Sequence, residues 1–500
     1  MADRADFAEL PIFAPANDAT AGPERRTKPV ERTGWIPTPP VATRQHADTP
    51  PERMSNTDSD GSVDWGLVRA LRQQAAKLLA DELRDRTVPT EREREIGREI
   101  IHRLLDEHVD AQVRGGDAAG LFTPSEQDML ARAVFDSLFG LGRLQPLVDD
   151  ESVENIEVRG NDRVTLVRTG GLIEDGPPVA GSDEELLEQL QFLASRSSET
   201  GRPFSPADPQ LDLRLHGGHR LAASAWTTPR PSVVIRRHRL IDVDLTDLVG
   251  LGLMDTRCAE FLAACVRARK SIVVAGEQGA GKTTLLRALC NEIDLAESIG
   301  TIETEYELHL DELPDRHPRV FAWEARPGNG QVAADGTAAG EVTLARLLYN
   351  AHRYNLSRVI VGEVRGAEVS TMFQAMQSGA GSLSTLHARD ARGAVERLVT
   401  LALERSGGGA EHAYRQVAHH IDVMVHITMR DVRGSDGVRQ RRRFVSEVVA
   451  VDPGDAGRPA FTDVFATEGG QLKPGVPPRW LDELVHAGYP PHAFNGGEPR

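Results

Sequence analysis

The chain has 500 residues and a formal net charge of −17, with 58 Lys and Arg against 75 Asp and Glu. That length holds about three domains at roughly 150 residues each, and the acidic balance excludes a general nucleic-acid binder, which carries a basic excess. No run approaches the ~20 consecutive apolar residues of a membrane span, the N-terminus lacks the apolar stretch of a signal peptide, and the three cysteines (Cys258, Cys265 and Cys290) fit no zinc-ligand or CxxC spacing and read as buried core thiols of a reducing cytoplasm.

In chain order, residues 1–60 are rich in Pro, Asp, Arg, Thr and Ala and read as a disordered arm, within which Met54 opens a stretch that reads as a natural start. Residues 61–120 form a helical region in which Val68, Leu71, Ala75, Leu78 and Leu79 recur at helical spacing. An α+β domain is expected over 121–238. It opens with a helix from Thr123, as N-cap with Glu126 three residues on, to Phe139, ended by Gly140 and Gly142. The runs VENIEVRG, RVTLVRTG and SVVIRRH follow as strands, with SDEELLEQLQFLAS as a helix between them. Residues 239–254 read as a linker. Over 255–460, SIVVAG, GTIE, VFAWE, RVIVGE and LSTLH alternate with helical segments, the pattern of a parallel sheet with helices on both faces. Residues 461–500, rich in Pro and Gly, read as a poorly patterned tail, and the run Arg441, Arg442, Arg443 reads as a solvated charged face.

The chemistry concentrates in the second half. Gly276-Glu277-Gln278-Gly279-Ala280-Gly281-Lys282-Thr283 fits the phosphate-loop pattern GxxxxGK[ST] in full. The apolar run Ile272–Ala275 precedes it as a buried strand, and Leu285, Leu286 and Leu289 give the following helix an apolar face. Glycines let the backbone N–H groups converge on phosphate, and the helix N-terminus adds partial positive charge. Gly276, Gln278, Gly279, Ala280, Gly281, Lys282, Thr283 and Thr284 are therefore the expected ATP-binding loop. Lys282 is placed to reach the β- and γ-phosphates, and the Thr283 hydroxyl to ligate Mg²⁺. Two hydrophobic strands end in acids. Glu363 closes one and is the expected metal-orienting carboxylate. Glu303 closes the other, followed by Glu305 and Glu307, and is the expected residue for polarising an attacking water. Only a parallel sheet brings Lys282, Glu303 and Glu363 together.

The ordered motif set over about Phe135 to Val451 resembles the type II/IV secretion traffic ATPases, and most closely their CpaF/TadA-like branch, which powers Flp/Tad pili. LGRLQPLVDDESVENIEVRG, GRPFSPADPQLDLRL, GGHRLAAS and SVVIRRH resemble that family's N-terminal domain; TIETEYEL resembles its Asp box, IVGEVRGAE its Walker B segment and GSLSTLHA its His box. The resemblance implies an α/β fold: a RecA-like P-loop core with a mainly parallel sheet, preceded by a smaller α+β N-terminal domain and a helical or disordered N-terminal region. It implies a cytoplasmic homo-hexamer at the inner face of the cell membrane, driven by ATP and Mg²⁺ and working on inner-membrane platform proteins. It further implies that Arg236 and Arg237, together with Arg353 and Arg365, complete a nucleotide site, and that His387 senses the γ-phosphate. Two departures stand out: Thr304 occupies a position where the family usually has Asp, and the segment Ser378–Ser382 before the His box is one residue short. These departures leave open a nucleotide-binding switch with little turnover as a second reading, beside a conjugative or type IV secretion ATPase.

Overall fold

The computed structural model describes residues 63–84, 88–114, 122–197, 204–237, 240, 242–326, 340–366, 368–377, 381–406, 409–433, 439–490 and 494. The arm expected over 1–60, and Ser378, Gly379 and Ala380 ahead of the His box, lie outside them. The described chain begins with three helices, α1 (Trp65–Leu83), α2 (Thr90–Arg114) and α3 (Pro124–Phe139). Helix α3 starts at the expected capping box: Thr123 Oγ1 accepts the Glu126 N–H, and the Glu126 carboxylate accepts the Thr123 N–H at 2.7 Å. Its apolar stripe, Leu130, Val134 and Leu138, packs with Val68 and Leu71 of α1 and Ile100 and Leu104 of α2 in a core of its own. Gly97 lets the helices close, since a Cβ there would sit 2.3 Å from the Phe139 ring. Helix α3, placed by sequence in the α+β domain, thus packs with the helices before it.

The next region comprises α4 (Gln145–Asp149), β1 (Val153–Arg159), β2 (Arg163–Arg168), β3 (Ile173–Gly176), α5 (Asp183–Ser197), β4 (Gln210–Arg214), β5 (Arg220–Ser224) and β6 (Ser232–Arg236). The strands form an antiparallel sheet in the order β3-β2-β1-β6-β5-β4. Alternating residues Ile156, Val158, Val164, Leu166, Leu221, Val233 and Ile235 bury on Leu186 and Leu190 of α5.

The core follows with α6 (Leu245–Gly250), α7 (Thr256–Arg267), β7 (Ile272–Gly276), α8 (Lys282–Cys290), β8 (Ile299–Glu303), β9 (Val320–Glu324), α9 (Leu344–Ala351), β10 (Arg358–Val364), α10 (Glu368–Met376), β11 (Leu383–His387), α11 (Ala391–Ser406), α12 (Ala410–His420), β12 (Val423–Arg433), β13 (Arg439–Pro453), β14 (Pro459–Glu468), β15 (Gln471–Pro474) and α13 (Leu481–His486). The sheet order is β15-β14-β13-β12-β7-β11-β10-β8-β9. Strands β12 through β9 in that order are parallel to one another, and β13, β14 and β15 continue the sheet antiparallel. Every residue of β7 is buried, because helices cover both faces. Ile272 and Val274 face the side of α7 and α8, and Val273 and Ala275 face that of α10 and α11. This is the RecA-like P-loop architecture, an α/β core with a mainly parallel sheet. Cys258, Cys265 and Cys290 are free and buried in it.

Two segments differ from their sequence reading. The expected linker over 239–254 holds α6, started by a reciprocal Asp244–Asp247 capping box and anchored by buried Val243, Leu245 and Leu248. The expected tail after 460 completes the sheet with β14 and β15 and returns α13 to the core, where Trp480, Leu484 and Tyr489 bury around Phe261. Its apolar residues are spaced too sparsely among Pro and Gly to show a period, yet Val464, Phe465, Trp480, Leu484 and Tyr489 are buried in the core.

Candidate functional site

The phosphate loop leaves the buried end of β7 and enters α8. Gly276 sits where a Cβ would lie 2.5 Å from the Ile427 carbonyl oxygen, and Gly279 (φ +76°) and Gly281 (φ +97°) turn through the left-handed region. Gly281 is the N-cap of α8. Gln278 is exposed, Ala280 buried, and Thr283 and Thr284 half-buried at the first turn. Lys282 is 7% exposed, and its ammonium donates to the Glu277 carbonyl at 3.0 Å and to His387 Nδ1 at 3.2 Å.

Parallel register brings the other expected groups to the same edge. His387 pairs with Gly276 across β11 and β7, and Glu363 with Thr385 across β10 and β11. His387 accepts from Lys282 on Nδ1, so its Nε2 carries the hydrogen donated to Glu363 Oε1 at 2.8 Å. Arg365 closes the row, donating through Nε to Glu363 Oε2 at 2.8 Å. Burial would raise the Glu363 carboxyl, but hydrogen bonds from His387 and Arg365 outweigh it and hold the group at about 2. Burial pulls Lys282 down to about 8, opposed by Glu363 and aided by the Arg236 charge.

Glu303 ends β8, is 2% exposed, and accepts the Glu307 and Leu308 N–H groups on Oε2 at 2.8 and 3.0 Å. Its Oε1 is buried without a partner. Burial pushes its carboxyl up to about 8, against the pull of those two donors. Near neutrality Glu303 therefore mostly keeps its proton. Thr283, Glu303, Glu307, Glu363 and Arg365 line one cleft together with Arg220 of β5.

The arginines divide. Arg236 is exposed at the end of β6, and its charge reaches Lys282. Arg237 turns into its own domain, where Nη1 donates to the Asp150 and Val153 carbonyls at 2.5 and 2.9 Å. That bonding holds Arg237 against the start of β1. Arg353 stacks over the exposed Tyr349 ring and takes no part in the cleft. Sequence reasoning missed Arg220, which pairs with Glu305 and Glu307, and Arg287, which is 3% exposed and ties the Glu307 carbonyl to that of Leu240. Arg220 lies within the quoted GGHRLAAS segment; its basic charge facing the acidic run after Glu303 was the available signal.

The oxygen donors fit a hard divalent cation such as Mg²⁺. Thr283 Oγ1 already lies 3.2 Å from Glu307 Oε2, Glu363 is ionised in the same cleft, and Glu303 offers an unpartnered buried oxygen. The carboxylate bonded to Thr283 is that of Glu307, and the two oxygens of Glu363, the expected metal-orienting acid, are bonded by His387 and Arg365. Among the described residues no group of three or more His, Cys, Asp or Glu is set to hold a metal alone, so Mg²⁺ here would draw its remaining ligands from phosphate and water.

A P-loop α/β core that gathers a lysine from its loop and two acids and a histidine from its strand ends defines a nucleotide-binding class of fold. The model of the family described as "Type II/IV secretion system protein" matches residues 178–448, more than half of the chain, and the chain belongs to that family. An uncharacterized protein of Methanocaldococcus jannaschii is 31% identical over 280 residues, covering 55% of this chain and 48% of the relative, so the chain spans about half of that protein's length. The type IV secretion system protein PtlH of Bordetella pertussis is 38% identical over 243 residues, 44% of this chain and 69% of PtlH. Among solved structures, the VirB11 ATPase of the Brucella suis type IV secretion system aligns at 25% identity and a TM-score of 0.31, covering 64% of this chain and 96% of that one.

Proposed function

We propose that this chain is an ATP-hydrolysing motor of the CpaF/TadA-like branch, working as a homo-hexamer on platform proteins at the cytoplasmic face of the inner membrane to assemble a pilus or secrete protein. The observation that carries this reading is the row Lys282–His387–Glu363–Arg365 at the mouth of the phosphate loop. Lys282 meets the β- and γ-phosphates, and His387 links it to the Glu363 carboxylate, so a change at the γ-phosphate reaches Arg365. Mg²⁺ bound by Thr283 with Glu307 and Glu363 nearby would supply charge neutralisation at the phosphates. Ionised Glu303 orients and deprotonates the attacking water. Arg236 and Arg220 approach from the N-terminal domain, so that closing the domains completes the positive surround of the phosphates and reopening them delivers movement. Among the described residues no helix is long and apolar enough to cross a membrane, which suits action through membrane partners. The family membership and the PtlH similarity also support a type IV secretion motor as the cargo-side alternative.

One observation favours a second reading. Glu303 is buried and holds a proton up to about 8, as a switch with little turnover would require. Phosphate release and mass photometry on the same purified sample decide between them. Turnover in a hexameric particle supports the motor. Tight ATP binding with negligible turnover selects the switch, and a monomer with ATP present well above micromolar concentration contradicts the hexamer.

A further inference from the structure

We propose that Arg443 is a positioning residue for the phosphate loop and links the N-terminal domain to it through Glu154; this rests on the nucleotide reading above. Arg443 lies on β13 opposite Met429 of β12, and β12 runs beside β7 as far as Ile427, level with Gly276. Alternation along the strand sends Arg441 and Arg443 to one face and leaves Arg442 exposed, so the run is not the solvated face its composition suggests. Arg441 approaches the N-terminal domain through its backbone, with its N–H on the Gly170 carbonyl at 2.7 Å. Arg443 divides its guanidinium between two partners: Nε donates to the Gly279 carbonyl at 2.8 Å, and Nη2 to Glu154 Oε1 at 2.5 Å.

Each end of this bridge is built. Gly279 adopts φ +76°, and the same peptide unit carries the Ala280 N–H. A charged donor on the Gly279 carbonyl polarises that peptide, strengthens its N–H and holds the loop in one orientation. At the other end, the register of β1 shifts between Val153 and Asn155. This irregularity at Glu154 re-aims its side chain, as bulges do. The corner is fixed by the Arg237 N–H on the Glu154 carbonyl at 3.1 Å and by the Arg237 guanidinium on the Asp150 and Val153 carbonyls. Asn155, next along, pairs with Arg236. A displacement of the N-terminal domain thus moves Glu154 and Arg236 together, and Arg443 transmits the first to the loop.

The test is titration of the full chain with a fluorescent ATP analogue and Mg²⁺, comparing wild type with Arg443→Ala, Glu154→Gln, the double variant and Lys282→Ala. Loss of the bridge weakens binding about tenfold in Arg443→Ala and about threefold in Glu154→Gln, and the double variant is no weaker than Arg443→Ala. Wild-type affinity in Arg443→Ala, or losses that multiply in the double variant, overturns the proposal. Should Arg443→Ala lack a cooperative unfolding transition, Glu154→Gln decides alone, and unchanged affinity there overturns it. Lys282→Ala separates the two levels: if it too binds normally, the nucleotide reading fails, whereas loss there with normal Arg443→Ala fails only the bridge.

Discussion

Two groups in the cleft change charge near the same pH in opposite senses for function. Lys282, held at about 8 by burial, is charged when it meets phosphate in the proposed reading, so nucleotide affinity is expected to fall as pH rises through about 8, with proton uptake on binding near that pH. Calorimetry in buffers of different ionisation enthalpy reads the uptake directly. Glu303, pushed up to about 8 by its burial, is ionised when it acts as the proposed base, so kcat is expected to rise with pH through the same region and kcat/KM to be bell-shaped. The same shift has a stability consequence. The folded chain binds the Glu303 proton more tightly than the unfolded chain does, so stability falls as pH rises from the ordinary carboxylate range to about 8. Glu303→Gln, neutral and nearly the same shape, removes that slope. It is expected to be more stable than wild type at pH 8.5 by on the order of 1–3 kcal/mol and nearly equal at pH 5, measured by urea unfolding.

At the scale of elements, the site was legible wherever a strand announced its own end. Glu303, Glu363 and His387 each close an apolar run, and the parallel sheet carries all three to the phosphate loop. The capping box at Thr123 and the helix after Gly281 were legible for the same local reason. Illegible were contacts that depend on distant pairing. Arg220 and Arg443 look like surface charges until β5 and β13 are placed. Strands β12 to β15 went unread because the apolar positions between Val423 and Pro474 are interrupted by charge, Pro and Gly. Their contribution to the core is testable at α13. Leu484 is fully buried against the α7 side of the sheet, so Leu484→Ala is expected to cost about 2–4 kcal/mol, seen as a lowered denaturation midpoint. Little change would mean that α13 is dispensable.

For the whole molecule, ion pairs join the N-terminal domain to the core. Arg220 meets Glu305 and Glu307, Arg214 meets Glu312 at 2.5 Å, and Arg443 meets Glu154. Partly exposed ion pairs are individually weak, which suits the domain movement proposed above. Arg220→Ala is expected to cost only about 1 kcal/mol of global stability while raising hydrogen exchange over residues 303–312, the acidic segment it covers; unchanged exchange there would place the hold elsewhere. In the proposed function ATP is hydrolysed in the cleft that Arg220 of this domain lines together with Thr283. The most direct test is steady-state phosphate release by the wild type beside Lys282→Ala and Glu303→Gln. Turnover is expected in the wild type, with at least about a hundredfold loss in each variant. Wild-type rates in either variant would contradict it.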